Sequence, residues 1–286
     1  MRKADPELDA YAARHLLSPG EAPKLARRDP ADIFPHVSHA DAREAAEAAV
    51  AELDRLQYLL FADRGRSLLI VLQGLDAAGK DGTIRHVFSG MNPQGVRVAA
   101  FKQPTPEEAA HDFLWRAHRV APARGEVVIF NRSHYEDVLV VRVHDLVPEP
   151  VWRTRYDAIN AFEAGLAANG TRILKFFLHI SPEEQLARFA ARLEDPARRW
   201  KISESDYTER LLWDRYLEAY EDALWRTGTE AAPWYVIPSD HKWYRNLAVA
   251  QIIAAALREM DLSVPPVTVD LDDIRQRYHA AKARQK

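Results

Sequence analysis

The sequence predicts an α/β domain in which about five parallel strands lie between two helical layers. Three observations lead there. Short β-branched runs recur from Ser67 onward. They are apolar nearly throughout, as strands covered on both faces are, and amphipathic stretches separate them, which is the pattern of right-handed β–helix–β connections. The 286 residues suit one large domain, or a core with an extension. With 47% hydrophobic and 28% charged residues, the composition excludes collagen-like and disordered classes.

Taken in order, the first 40 or so residues mix Pro, Asp and Arg without periodicity, and Asp29 to Pro35 reads as an irregular arm draped over the core. Ser38 to Phe61 carries Ala42, Ala46, Val50, Leu53, Leu56 and Leu60 at helical spacing, with Ser38 and Asp41 as a capping pair. The strand runs follow: Ser67–Leu72, Val96–Phe101, Glu126–Phe130, Ile173–Ile180 and Trp234–Ile237. Ser181-Pro182-Glu183-Glu184 starts a helix with a cap, a first-turn proline and a capping-box glutamate. Leu186, Phe189, Ala190 and Leu193 form one face of that helix, and Trp213, Tyr216, Leu217, Tyr220 and Leu224 mark another. The polar end, Leu271 to Lys286, reads as a solvated helix or tail. The chain therefore divides into an N-terminal arm and helical extension (1–66), a core (67–270) with a helical excursion at about 182–225, and a C-terminal tail (271–286).

The absence of cysteine removes disulfides, thiol nucleophiles and Cys-based metal sites. Met1 to Pro6 is not apolar, and no apolar run approaches the roughly 20 residues that cross a bilayer, so a cytoplasmic protein with no membrane partner is expected. The net charge of −3, taken alone, disfavours a polyanionic partner. The local distribution of charge reverses that inference, as follows.

Ligands of parallel sheets sit beyond the carboxyl ends of the strands. After the first run comes Gly74-Leu75-Asp76-Ala77-Ala78-Gly79-Lys80-Asp81-Gly82-Thr83, with Arg85 on the ensuing helix. Glycines where backbone approaches phosphate, amides at a helix start and a lysine at this spacing make a phosphate-binding loop, or P-loop. The expected fold is thus a three-layer P-loop fold, and the arginine-bearing excursion described below makes it a P-loop kinase fold. The hydroxyl residue usual after the lysine is Asp81 here, so a metal ligand must come from elsewhere; Asp76 is the best candidate and Thr83 an alternative. The third run leads into Asn131-Arg132-Ser133-His134-Tyr135-Glu136-Asp137. Arg132 is placed to neutralise a transferred phosphoryl group, with Glu136 or Asp137 as the carboxylate near the metal. His134 and His144 read as hydrogen-bonded polar residues. Arg188 to Lys201 holds five basic residues (Arg188, Arg192, Arg198, Arg199 and Lys201) against Glu194 and Asp195, and reads as an arginine-bearing lid.

These blocks, together with Arg192-Leu193-Glu194-Asp195-Pro196, Trp200-Lys201 and Ser239-Asp240-His241-Lys242-Trp243-Tyr244, resemble the family-2 polyphosphate kinases over roughly Ala40 to Leu262. The resemblance implies phosphoryl transfer between inorganic polyphosphate and a nucleotide with Mg²⁺, or Mn²⁺ in its place. It sets the family's loop aspartate, loop lysine, strand-end arginine and lid arginines on Asp76, Lys80, Arg132, Arg188 and Arg192, and it implies a homo-oligomer. Asn131 and Glu136 depart from the commoner Asp and Asn at those places and resemble the subgroup that phosphorylates both nucleoside monophosphates and diphosphates. Polyphosphate needs several cations along a channel, and Lys80, Arg85, Arg132, Arg188, Arg192, Arg198, Arg199, Lys201 and Lys242 supply them. No nucleic-acid partner is expected. An ATP-dependent nucleotide or small-molecule kinase is the main alternative; a non-enzymatic polyanion-binding protein, suggested by Asp81 and Asn131, is the other.

Overall fold

The structure is a computed structural model that describes residues 6–36, 38–40 and 42–284. The sheet forms where the sequence places it: β2 (Ser67–Gln73), β3 (Val96–Ala100), β4 (Val127–Asn131), β5 (Thr171–His179) and β6 (Trp234–Pro238) are all parallel to one another. A sixth strand, β1 (Leu16–Leu17), joins the edge antiparallel to β6, with Leu16 opposite Tyr235 and Leu17 opposite Trp234, giving the order β1-β6-β5-β2-β4-β3. The central β2 is buried at every position, as the uninterrupted apolar run requires.

The helices in chain order are α1 (Pro6–His15), α2 (Arg43–Asp63), α3 (Lys80–Val87), α4 (Pro106–Ala109), α5 (Trp115–Val120), α6 (Val140–Val143), α7 (Glu149–Ala168), α8 (Pro182–Glu194), α9 (Glu204–Arg210), α10 (Trp213–Thr227), α11 (Lys242–Glu259) and α12 (Leu271–Ala283). α11 is buried almost throughout and packs with α1, α2 and α3, while α7 packs with α10, so two helical layers enclose the sheet. No helix among the described residues is long and apolar enough to cross a membrane.

Three expectations need correcting. Asp29–Pro35 is irregular as expected, but the chain before it is not without regular structure, because α1 packs on α11 and β1 extends the sheet; a two-residue strand leaves no periodicity in the sequence, and only pairing with β6 creates it. α2 begins at Arg43 rather than Ser38, and the Asp41 half of its expected capping pair lies outside the described residues. In α8 the buried face is Gln185, Arg188 and Phe189, whereas Leu186 and Leu193 are each 48% exposed. Ser181 does cap the helix, accepting from the Glu184 amide at 3.1 Å, but no capping box closes. The Glu184 carboxylate meets Arg188 Nε at 2.7 Å, and the Ser181 amide donates to Asp240 Oδ1 at 2.8 Å. α8 is rotated by polar demand: the carbonyls of the loop after β2 need donors, and its arginine and glutamine supply them. α12 stands off the core, capped by the Asp270 side chain and without a buried residue.

Candidate active site

The loop Gly74–Gly79 carries β2 into α3, and two of its glycines are required by what lies beside them. Gly74 has φ +152°, and a Cβ there would come within 2.8 Å of the Leu178 carbonyl oxygen. Gly79 has φ +110°, and a Cβ there would overlap the Arg245 guanidinium. Lys80 opens α3 and folds back, donating from Nζ to the carbonyls of Gly74 at 2.6 Å and Leu75 at 3.2 Å. Burial, followed by the neighbouring Arg132 charge, pushes its pKa down to about 8.

Beyond β4, Arg132 adopts a left-handed backbone (φ +58°) and reaches between two carboxylates. Nη2 donates to Asp76 Oδ1 at 2.8 Å and Nη1 to Glu136 Oε2 at 3.4 Å. Burial alone would lower its pKa, but Glu136 and Asp76 hold it above the ordinary arginine range. Gln73 Nε2 steadies Glu136 at 3.1 Å. Behind this turn lies a closed network in the core. Lys175 Nζ donates to Glu163 Oε2 at 2.6 Å, to Tyr135 Oη at 2.9 Å and to the Thr227 carbonyl at 2.7 Å. Glu163 Oε1 accepts from Tyr135 Oη at 2.8 Å and lies 3.2 Å from His134 Nε2. His134 and Tyr135 therefore clamp the strand-end turn from below, and His134 is the hydrogen-bonded residue its context suggests. His144, 2.9 Å from Glu209 Oε2, is the same.

The loop, the strand-end turn and the excursion after β5 enclose a crevice of about 960 Å³ at the carboxyl ends of the strands. Asp76, Gly79, Lys80, Arg132 and Glu136 form its floor. Arg192, Trp200, Lys201 and Asp206 line it from the excursion, with Arg192 Nη1 held by Asp206 Oδ2 at 3.3 Å. Lys201 lies 3.8 Å from Asp81, whose other oxygen accepts from Asn131 Nδ2 at 2.8 Å. The crevice also has an apolar lining of Phe101, Pro104, Val140 and Leu146 with Arg116, whose guanidinium lies 5.3 Å from the centre of the Phe101 ring.

The sequence model of the family described as Polyphosphate kinase 2 (PPK2) matches residues 36–265. The chain belongs to the polyphosphate kinase 2 family. It is 51% identical over 256 residues to an AMP/ADP-polyphosphate phosphotransferase of Meiothermus ruber, covering 88% of this chain and 95% of that one. It is 47% identical over 231 residues to an ADP-polyphosphate phosphotransferase of Rhodopseudomonas palustris, covering 77% and 80%. Its fold matches the crystal structure of polyphosphate kinase 2 from Arthrobacter aurescens TC1 with a TM-score of 0.90 and 42% identity, over 94% of this chain and 96% of that one. The three-layer P-loop architecture and a phosphotransferase identity both follow.

Within this polyphosphate kinase 2 chain, not all the expected site residues meet. Asp76, Ala77, Gly79, Lys80, Asp81, Gly82, Arg132, Glu136, Asp137, Arg192 and Lys201 line the crevice, whereas Ala78 and Thr83 are buried beneath the loop. Arg85 is exposed on α3, and the exposed Arg199 turns back to the Leu193 carbonyl at 2.9 Å. Arg188 is placed otherwise than a lid arginine: it is buried and donates to the carbonyls of Ala77 at 2.8 Å, Ala78 at 3.1 Å, Ser239 at 2.5 Å and Asp240 at 2.9 Å. It braces the loop instead of facing the crevice. Asp137, expected at the metal, accepts from Arg116 at 3.0 Å and lies 3.6 Å from Arg155, while burial raises its pKa. Among the described residues no three acidic or histidine side chains cluster to hold a cation.

Sequence reasoning missed Phe101-Lys102-Gln103-Pro104, which follow β3 and line the crevice; applying the strand-end rule to the second run as well finds them. It also missed Arg116, whose helix carries no strand-end signal, and Arg245, the residue directly after Ser239–Tyr244.

Proposed function

We propose that this chain transfers a phosphoryl group from inorganic polyphosphate to both AMP and ADP, with Mg²⁺. The observation that carries the proposal is Lys80, a buried lysine met only by loop carbonyls among the described residues, beside an Arg132 that faces the same crevice. Such an arrangement attracts phosphate without needing a covalent nucleophile. The Meiothermus ruber and Rhodopseudomonas palustris relatives, an AMP/ADP- and an ADP-polyphosphate phosphotransferase, support the donor and the two acceptors.

The donor lies along the loop under Lys80, Arg132, Arg192 and Lys201. The acceptor's base and ribose lie against the apolar lining at Phe101 and Leu146, and Arg116 reaches its phosphate. An acceptor phosphate oxygen attacks the terminal phosphorus in line; the new P–O bond forms as the bond to the bridging oxygen breaks, and the chain leaves one unit shorter. Lys80 and Arg132 stabilise the charge that spreads over the moving group. Asp76 lines the crevice and would hold the cation, since Mg²⁺ is commonly held by one or two carboxylates plus substrate phosphates rather than by a protein cage. When bound, Mg²⁺ supplies charge neutralisation on the phosphate oxygens. The excursion carrying Arg192 and Trp200 closes over the donor and excludes water.

One assay tests this reading. Polyphosphate or ATP is offered as donor against AMP, ADP and GDP with Mg²⁺ present. ATP from polyphosphate plus ADP, and ADP from polyphosphate plus AMP, are expected; product from ATP alone selects the ATP-dependent kinase instead.

A further inference from the structure

Beneath the loop lie two buried guanidinia that phosphoryl-transfer chemistry does not directly use. Arg245, in the first turn of α11, is 2% exposed. Its Nη1 donates to the Ala78 carbonyl at 3.1 Å, and its Nε and Nη2 donate to Asn246 Oδ1 at 3.2 and 2.9 Å. It makes no ion pair among the described residues, and Arg188 beside it pairs only with Glu184. Burial and the Arg188 charge push the Arg245 pKa down to about 9, the behaviour of a cation without a counter-ion. Its guanidinium occupies the space that a Cβ at Gly79 would need and stands 3.3 Å from where one at Gly82 would lie. The glycine spacing of the loop is therefore matched to this arginine as well as to phosphate.

The geometry has a direct consequence for the loop. Arg188 and Arg245 both draw the Ala78 carbonyl, at 3.1 Å each. A planar trans peptide points its N–H opposite to its carbonyl, so the Gly79 amide is turned away from both arginines, on the side where Gly79 lines the crevice. A buried charge with no carboxylate is costly, and an anion across a thin backbone layer relieves that cost.

We propose that Arg245 is a positioning residue for the polyphosphate donor: it fixes the Ala78–Gly79 peptide so that the Gly79 amide faces the phosphate chain, and the donor serves as its counter-ion through the loop. This deepens the function proposed above and rests on the donor, rather than the acceptor, occupying the loop.

The test uses the full chain as Arg245→Met and Arg245→Lys, with steady-state kinetics in which polyphosphate is varied at saturating ADP and ADP at saturating polyphosphate. Arg245→Met is expected to raise the KM for polyphosphate about tenfold, as loss of a charge-assisted contribution does, with the KM for ADP within about twofold. Polyphosphate should also raise its melting temperature less than it raises the parent's. Arg245→Lys, which keeps the charge but loses the fork, should recover part of the loss yet still show a KM for polyphosphate about threefold above the parent's. The lysine variant decides alone if the methionine variant does not fold. A change in melting temperature with an unchanged KM for polyphosphate in both folded variants overturns the proposal and leaves Arg245 a structural residue. A rise confined to the KM for ADP, or for AMP, overturns instead the placement of the donor on the loop.

Discussion

Two buried lysines sit within the same α/β layer structure and are treated in opposite ways. Lys175, on the central part of β5, is completely buried and answered by the Glu163 carboxylate, the Tyr135 hydroxyl and the Thr227 carbonyl. Lys80, at the start of α3, is answered only by two carbonyls of its own loop, and Arg245 behind it has no carboxylate either. Burial lowers the pKa of both lysines. The difference lies in what completes the charge. Lys175 is completed by the protein, which fixes the turn carrying Arg132; Lys80 is left for a ligand to complete. A neutralised buried cation is structure, and an unneutralised one at a crevice is a site.

The sharpest way to break this comparison is to remove Lys175. Lys175→Met strands the Glu163 carboxylate in the core and is expected to cost about 3–5 kcal/mol of stability by urea denaturation, while Lys175→Met/Glu163→Leu restores most of it. A loss below about 1 kcal/mol in the single variant would show that the pair is not the clamp described here. Lys80→Ala should do the reverse. It is expected to lose about 2–4 kcal/mol of transition-state stabilisation in kcat/KM, with a urea midpoint equal to or above the parent's, because it removes a charge the fold penalises. Near-normal turnover would refute the role of Lys80.

The pH dependence separates the two lysines further. The folded pKa of Lys80, about 8, lies below its ordinary value, so the unfolded chain holds this proton more tightly. Its contribution to stability is therefore unfavourable below pH 8 and becomes less so as pH rises toward the unfolded value. Its contribution to donor binding changes the other way: kcat/KM for polyphosphate should fall above about pH 8 as the ammonium is lost. A flat profile between pH 7 and 9 in the parent would contradict this, whereas the Lys80→Ala residual activity should be flat there. The smallest effects are expected at Arg85 and Arg199, which are exposed and do not line the crevice. Substituting either by Ala should change the KM for polyphosphate less than about twofold, as for exposed surface charges.

Four strand runs were legible because burial on both faces demands continuous apolar residues, and β2, β4, β5 and β6 are buried as that pattern requires, whereas β3, at the sheet edge, is half exposed despite its apolar run. The loop was legible because glycine and lysine spacing is a local constraint. β1 escaped notice because two leucines become a strand only by pairing with Tyr235 and Trp234. The buried face of α8 escaped because apolar spacing favoured Leu186 and Leu193, while the loop carbonyls claimed Gln185 and Arg188, with Gln185 Nε2 donating to the Asp76 carbonyl at 2.9 Å.

By itself, then, the sequence determined the parallel sheet, the loop after its first long strand and the polar turn holding Arg132, since each depends on residues adjacent in the chain. Tertiary structure alone decided which of the many arginines face the crevice and which lie behind it. Arg192 and Arg188 share one helix, yet Arg192 lines the crevice and Arg188 braces the loop. Arg245 reaches Ala78 across 167 residues of chain. The direction of a charged side chain is set by the unsatisfied carbonyls and carboxylates that folding brings near it, and no local spacing encodes those.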